Sequence, residues 1–189
     1  MLPEHKLISA AKSGDVSAFE ELYRSYNDRI YNFVRGIVAS EQDAADVAQD
    51  TFVRAWKALP KLRSECAFKG WLYRIALNQA KEALAQRGRR GELGIEGSDE
   101  PGFDERQIAT TTDGPESATL RNDLASAVGM ALSELSPDHR AVVAMHHIED
   151  MDVSEVAKAL SVPQGTVLSR LARARAKLKR RLAPYVEAD

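Results

Sequence analysis

Basic side chains crowd one segment near the C-terminus, and their chemistry is that of nucleic-acid binding. The segment from residue 164 to 182 is rich in Lys and Arg and contains no Asp or Glu. Such a concentration of positive charge attracts a phosphate backbone. The basic residues are Arg170, Arg173, Arg175, Lys177, Lys179, Arg180 and Arg181.

The residues around the start of this segment predict a helix-turn-helix. Residues 152–155 (Asp-Val-Ser-Glu) can open a short helix, Ser161-Val162-Pro163 can form the turn, and Gln164 can begin the basic helix. In such a unit the first helix braces the second, whose N-terminal half enters the DNA major groove. The motif from Val153 to Arg173 therefore predicts DNA binding.

The helical period of the basic segment separates buried from outward side chains. It places Val167, Leu171, Ala174 and Leu178 inward. We expect Ser169 and Arg173 to contact bases, because an arginine can bind guanine through two hydrogen bonds, whereas the cations from Lys177 onward hold the phosphates. The outward residues predicted to contact DNA are Thr166, Ser169, Arg170, Arg173 and Lys177.

Apolar side chains that step by three and four predict the elements that position these residues. Stripes over residues 19–37, 44–59 and 68–83 predict three helices, with Asp15 as the cap of the first and Pro60 as the stop of the second. Periodicity resumes at residue 120 and breaks at Ser136-Pro137. No alternating run is long enough for a sheet, so the chain is predicted to be all-α, with two small helical domains at residues 1–90 and 119–185.

The segment between these domains, residues 91–118, predicts a flexible acidic linker. Gly, Ser, Thr and acidic residues dominate it, and no hydrophobic period is sustained. From residue 92 to 116 the only base among the acids is Arg106. A tether of this kind would let the two domains move independently.

Composition and missing motifs narrow the classes of function. With 189 residues, 44% hydrophobic and 29% charged, the chain fits a globular protein, and no apolar run approaches the roughly 20 residues of a membrane span. Without a signal-peptide pattern we expect a cytoplasmic protein that does not insert in membranes. The chain lacks a glycine-rich phosphate loop, a zinc-protease motif and a hydrolase elbow, so we expect no enzyme and no cofactor.

The residues that could suggest a metal or redox site are isolated. Cys66 has no second thiol to pair with, and we expect a small packing residue rather than a ligand. The adjacent His146 and His147 have no further ligands nearby, and we expect them at the helix surface and the edge of the core. No metal site is predicted.

Three separate motifs point to one family. The segment from Asp43 to Trp56 carries acids and a glutamine on one helical face and a large aromatic at its end, which makes it a candidate docking surface; an ordinary exposed face with Trp56 in the core is the alternative. Residues 68–78 (Phe-Lys-Gly-Trp-Leu-Tyr-Arg-Ile-Ala-Leu-Asn) and 165–175 (Gly-Thr-Val-Leu-Ser-Arg-Leu-Ala-Arg-Ala-Arg) accompany it. In this order and spacing the chain resembles the extracytoplasmic-function branch of the sigma-70 family.

This resemblance implies a subunit of RNA polymerase that directs promoter-specific transcription initiation. Residues 1–90 would be sigma region 2 and residues 119–185 sigma region 4. In the family, the helix that matches Asp46 to Trp56 binds the clamp helices of the largest polymerase subunit. The implied polymerase contacts are Asp46, Gln49, Asp50, Arg54 and Trp56.

The resemblance also implies two promoter contacts. The loop from Leu62 to Ala67 and the helix after it would bind and open the minus-ten element, and the helix-turn-helix would bind the minus-thirty-five element. Leu168 and Ala172 depart from the arginine and aromatic that often stand there in the family, which leaves the promoter sequence open. The implied minus-ten contacts are Arg63, Ser64, Lys69, Trp71, Tyr73, Arg74, Asn78 and Lys81, of which Trp71 also fits the core.

An anti-sigma factor is the third implied partner, after core RNA polymerase and promoter DNA. Family members are inhibited by such a protein, which clamps both domains. The acids of the linker would pass through a basic polymerase channel or serve as a solubilising spacer. Three alternatives remain open: a DNA-binding regulator that acts without polymerase, a sigma-like decoy for an anti-sigma factor, and a recombinase with a C-terminal helix-turn-helix.

Overall fold

Two helical units make up the part of the chain that the computed structural model describes, which is residues 2–38, 40–90 and 127–186. No strand occurs among these residues, so the predicted all-α class is confirmed. The predicted linker and the stripe residues Leu120 and Leu124 lie outside the described residues. No helix within the described ranges is long and apolar enough to cross a membrane.

Four α-helices form the N-terminal unit. They are α1 (Glu4–Lys12), α2 (Val16–Arg35), α3 (Glu41–Ala58) and α4 (Phe68–Arg90), with 3₁₀ turns at Leu59–Lys61 and Glu65–Ala67 between the last two.

The three predicted stripes become the buried faces of α2, α3 and α4. The Asp15 carboxylate accepts a hydrogen bond from the backbone N–H of Ala18 (3.1 Å), which confirms it as the cap of α2. Helix α3 ends at Ala58, and the chain tightens into a 3₁₀ turn at Pro60 because proline cannot donate the next helical hydrogen bond. Helix α1 was not predicted, since its short stripe buries only Leu7, Ile8 and Ala11.

The C-terminal unit holds the predicted helix-turn-helix. Residues 127–133 are helical (α5), and α6 (Pro137–Val143) continues as a π-helical turn, Ala144–Ile148. Helices α7 (Val153–Leu160) and α8 (Gln164–Val186) follow. The predicted break at Ser136-Pro137 is the N-terminus of α6, where the Ser136 side chain caps the N–H of His139.

The two units pack against each other. Buried apolar residues of both form one contiguous cluster, in which α4 of the N-terminal unit contacts α7 and α6 of the C-terminal unit.

The prediction that Cys66 is a small packing residue is wrong. Cys66 lies in the 3₁₀ turn before α4, none of whose residues is buried, and its side chain is exposed.

Candidate nucleic-acid interface and docking face

Helix α3 presents the polar face that the sequence predicted. Asp46, Gln49 and Asp50 are all exposed, while Val47 and Ala48 between them are buried. This alternation follows from the 3.6-residue period, which turns the acids outward wherever the apolar residues turn inward. The result is an anionic face supported by a packed core.

The other two predicted docking residues lie toward the end of the same helix. Arg54 is exposed and its guanidinium lies 3.5 Å from the Glu82 carboxylate of α4. Trp56 is half-buried, and its ring packs on Phe19 with centroids 4.8 Å apart. Trp56 therefore contributes to the core while one part of the ring stays accessible.

An open groove of about 660 Å³ runs between α2 and α3 beside the acidic face. Its walls include apolar side chains that are unusually exposed: Val16 at 67%, Val53 at 44% and Tyr23 at 40%. Gln49 and Trp56 line the same groove. An apolar channel with polar side chains at its edges, next to the acidic face, suits an amphipathic helix from a partner.

The predicted minus-ten residues divide into two sets. Arg63, Ser64 and Asn78 are exposed on the N-terminal unit. The other polar ones contact the C-terminal unit: the Arg74 guanidinium donates to Ser161 Oγ (3.0 Å), Lys81 forms an ion pair with Asp138 of α6, and Lys69 forms one with Glu149 (Nζ–Oε2 3.6 Å).

The two aromatics predicted for the minus-ten contact differ in burial. Trp71 is half-buried against Phe68 and also lines a cleft of about 650 Å³ between the two units. Tyr73 is fully buried, with its ring edge-on to Phe33 at 4.9 Å. Burial, then the nearby charge of Glu149, raises the pKa of the Tyr73 hydroxyl. In this arrangement Tyr73 cannot reach a nucleic acid, because the period of α4 turns it toward α2 and Glu149.

Local chemistry fixes the helix-turn-helix. Asp152 and Glu155 form a reciprocal capping box at the start of α7, with hydrogen bonds of 2.7 and 2.8 Å. Ser161 then takes a left-handed conformation (φ 55°), which turns the chain sharply, and Pro163 precedes the first residue of α8. The two helices and the sharp turn between them therefore form the helix-turn-helix that the sequence predicted.

The side chains of α8 differ in exposure. Ser169 and Arg173 are exposed, as are Leu168 and Ala172 beside them. Arg170 and Lys177 are half-buried and lie 3.7 Å from Asp138 and 3.6 Å from Glu134 respectively. The inward residues are Val167, Leu171 and Ala174, all buried, and Leu178, which packs on the core.

His139, His146 and His147 lie beside the helix-turn-helix. Burial, then the charges of Arg170 and Arg173, lowers the pKa of His139; burial, then His146 and Arg175, lowers that of His147. No cluster of three or more candidate metal ligands occurs in the part of the chain that the structure describes.

Known protein families match both units. The model of sigma-70 region 2 matches residues 22–90, and the model of sigma-70 region 4 matches residues 125–178. The RNA polymerase sigma-H factor of Pseudomonas aeruginosa is 33% identical, over 97% of this chain and 95% of its own length. The ECF RNA polymerase sigma-E factor of Haemophilus influenzae is 30% identical over 98% of both chains.

The chain belongs to the sigma-70 family, in its extracytoplasmic-function (ECF) branch. This sigma factor also resembles solved structures. CnrH in complex with the cytosolic domain of CnrY superposes with a TM-score of 0.65 at 26% identity, covering 96% of this chain and 97% of that one. RpoE of Bartonella quintana in complex with the anti-sigma factor NepR has the same fold, with a TM-score of 0.67 at 23% identity over 89% and 98% of the two chains.

Sequence reasoning missed the residues of the sigma factor that join its two units. At that contact Glu149, in the bend after the π-helical turn, pairs with Arg29 of α2, 120 residues away. Gly70 of α4 lies close to Met151 and Ala159 of the C-terminal unit. When its own segment is considered alone, none of these residues indicates which distant residue it contacts. A hint was available at Gly70, since glycine within a helix weakens it and often marks a close approach.

Proposed function

We propose that this sigma factor binds core RNA polymerase and directs it to a class of promoters, and that it catalyses no reaction itself. It would act in the cytoplasm, where transcription takes place. One observation carries the proposal: an exposed acidic helix and an exposed basic recognition helix stand on two units that match sigma regions 2 and 4 in that order. A DNA-binding regulator that acts alone would not need the acidic helix.

The polymerase contact is assigned to α3. Asp46, Gln49 and Asp50 would face a basic, polar partner, because opposite charges steer and orient the encounter. Arg54 and Trp56 extend this face. The groove between α2 and α3 would add apolar contact area to these polar contacts. We assign residues 1–90 to this unit.

The minus-ten contact is assigned to the loop before α4 and to the helix itself. Arg63, Ser64 and Asn78 are accessible, and Lys69, Trp71, Arg74 and Lys81 would join them after the C-terminal unit moves away. Aromatic and cationic side chains together can support an unstacked strand. Tyr73 would reach DNA only if that movement also uncovered it.

The minus-thirty-five contact is assigned to the start of α8, in the unit of residues 119–185. Ser169 and Arg173 would contact base edges, and Thr166, Arg170 and Lys177 would orient the helix on the backbone. Leu168 and Ala172 stand on the same exposed face, so apolar contacts with thymine methyl groups are available to this helix. Residues 91–118 would tether the two units.

An anti-sigma factor is the regulatory partner that we propose. RpoE of Bartonella quintana, a protein of the same fold, forms a complex with the anti-sigma factor NepR. Two units joined by a tether of 28 residues give such a partner two surfaces to cover at once. Sequestration would then block polymerase and DNA together.

Run-off transcription with purified components tests the proposal. The chain would be added to core RNA polymerase with a library of genomic promoter fragments, and transcripts would be mapped at their 5′ ends. We expect discrete starts, preceded by a shared pair of sequence elements, that core polymerase alone does not produce. If no fragment yields a start but the chain binds DNA, a DNA-binding regulator that acts without polymerase becomes the favoured function. If the chain binds neither DNA nor polymerase, a decoy for an anti-sigma factor becomes the favoured function.

A further inference from the structure

The loop before α4 is buried at its ends but not at its centre. We call residues 62–67 the minus-ten loop, after the contact proposed for it. Its ends are fixed, because Leu62 and the first residue of α4, Phe68, are buried in the core. No residue from 63 to 67 is buried. A segment without buried contacts changes shape easily, and the proposed DNA contacts of the loop lie in this segment.

One ion pair fixes the centre of the minus-ten loop. The Lys12 ammonium of α1 donates to the Glu65 carboxylate, with Nζ and Oε1 3.1 Å apart, although 53 residues separate the two. Among the described residues, no other side chain from position 63 to 67 forms a hydrogen bond or ion pair outside the loop. Glu65 directly follows Arg63 and Ser64, so the pair fixes the backbone beside the proposed DNA contacts.

Both partners of this pair are in their charged forms. A hydrogen bond from its own backbone N–H, then the hydrogen bond and charge of Lys12, lower the pKa of the Glu65 carboxyl. Lys12 ends α1, where the helix dipole favours a cation. The side chains are 23% and 36% exposed, and a pair so open to water adds little to the stability of the fold. Its effect is therefore on the orientation of the loop.

Helix α1 is a firm support for the minus-ten loop. Its apolar stripe is buried in the core, and it contacts both 3₁₀ turns, Leu59–Lys61 and Glu65–Ala67. At its start the Tyr26 hydroxyl of α2 donates to the Glu4 carboxylate (2.9 Å), and the Tyr26 ring lies edge-on to Phe68 with centroids 5.6 Å apart. A helix that is fixed at its start and along one face can hold a flexible neighbour in position.

We propose that Lys12 and Glu65 are positioning residues for promoter opening, through which α1 holds the minus-ten loop in the shape that binds an unpaired base. The meaning of the loop rests on the proposed function. An ordered loop binds a base at lower cost, because its conformational entropy is already lost before the encounter. Neither side chain needs to touch DNA. The match to sigma-70 region 2 begins at residue 22, after α1 ends.

A spin label on the loop tests whether the pair holds it. Cys66 is exposed beside Glu65 and is the single cysteine of the chain, so a nitroxide can be attached without further substitution. In the free chain we expect faster label motion in Lys12→Met and in Glu65→Ala than in the parent. The matched control is Lys6→Met, the same charge change at an exposed position of α1. Equal label motion in Lys12→Met and Lys6→Met would overturn the proposal.

The rate of promoter opening tests whether the position of the loop matters for function. Permanganate oxidises unpaired thymines, so it would follow opening of a duplex promoter fragment by polymerase that carries each variant. We expect Lys12→Met and Glu65→Ala each to slow opening about two- to fivefold, the factor that a partly exposed ion pair can supply. Affinity for core polymerase and the thermal unfolding midpoint should stay at the parent values, which a general loss of structure would not allow.

The two variants change the charge in opposite directions. Lys12→Met removes a positive charge near the proposed DNA contacts and Glu65→Ala a negative one, so a purely electrostatic effect would slow opening in one and speed it in the other. Loss of position slows it in both. Changes of opposite sign, or rates equal to that of Lys6→Met, would remove the positioning role. The label measurement needs neither polymerase nor DNA, so a failure of the proposed function would leave it standing.

Discussion

Two faces of the N-terminal unit carry the two proposed functions, and they differ in access. The acidic face of α3, with Asp46, Gln49 and Asp50, is exposed. The basic face of α4 is partly covered, with Lys69 and Lys81 half-buried and paired to acids of the C-terminal unit. Both faces stand on one packed core, so their difference in access comes from the position of the C-terminal unit.

This difference indicates an order of assembly. With the two units packed as the structure shows them, α3 and its groove are open to a partner, whereas DNA would reach Lys69 and Lys81 of α4 only after the C-terminal unit moves. Polymerase binding would then precede promoter recognition. The following predictions are arranged by expected effect.

The largest effect is expected at the open face. Replacing Gln49 by alanine together with Asp50→Lys should weaken core polymerase binding about tenfold or more, because the charge of the docking face is reversed at its centre. Both side chains are exposed, so the thermal unfolding midpoint should not change. Titration of fluorescently labelled chain with core polymerase measures the affinity.

The control for this variant is Asp28→Lys, the same charge reversal at an exposed position of α2 that does not line the groove. It should leave polymerase affinity within about twofold of the parent value. Equal losses in both variants would show a general charge effect and remove the assignment of α3.

A smaller effect is expected on the recognition helix. Arg173→Ala should cost about 1–3 kcal/mol of base discrimination at one position of the minus-thirty-five element. Lys179→Ala is the matched control: it should weaken binding uniformly across promoter variants and lower the salt dependence by about one ion. Run-off transcription on a set of single-base promoter variants separates the two. Loss of discrimination in both chains, or in neither, would remove Arg173 from the base contacts.

The smallest effect concerns pH. His139 and His147 have lowered pKa values in the folded chain, so the unfolded chain binds more protons as the solution is acidified. The stability they contribute is fully present above about pH 6.5, the unfolded value, and is lost as pH falls through the folded values. The thermal unfolding midpoint should thus fall between pH 7.5 and 5.5, and fall less in a His147→Asn chain. An equal fall in both chains would exclude His147 as a cause.

Local signals explain what the sequence could predict. Asp15, Pro60 and Ser136 bound their helices through contacts with residues a few positions away, and the capping box at Asp152 lies wholly within one turn. The inward and outward faces of α8 follow from its period alone. The family was recognisable because three motifs stand in order.

Long-range contacts explain what it could not. Glu149 and Lys69 are 80 residues apart, and nothing in either segment indicates that they meet. Tyr73 is buried against Phe33 of α2 and beside Glu149, and the exposure of Cys66 depends on a 3₁₀ turn too short to show a period. The sequence therefore predicted where the candidate surfaces lie, but not which of them is exposed.

Fluorescence anisotropy of a labelled promoter fragment, taken from those that yield run-off starts, tests the central comparison most directly. The fragment would be titrated with the free chain and with the chain preloaded on core polymerase, at one fixed salt concentration. The account predicts promoter-specific binding only by the preloaded chain, at least about a hundredfold tighter than by the free chain. Equally tight, sequence-specific binding by the free chain would contradict it, because the basic face of α4 would then be open without polymerase.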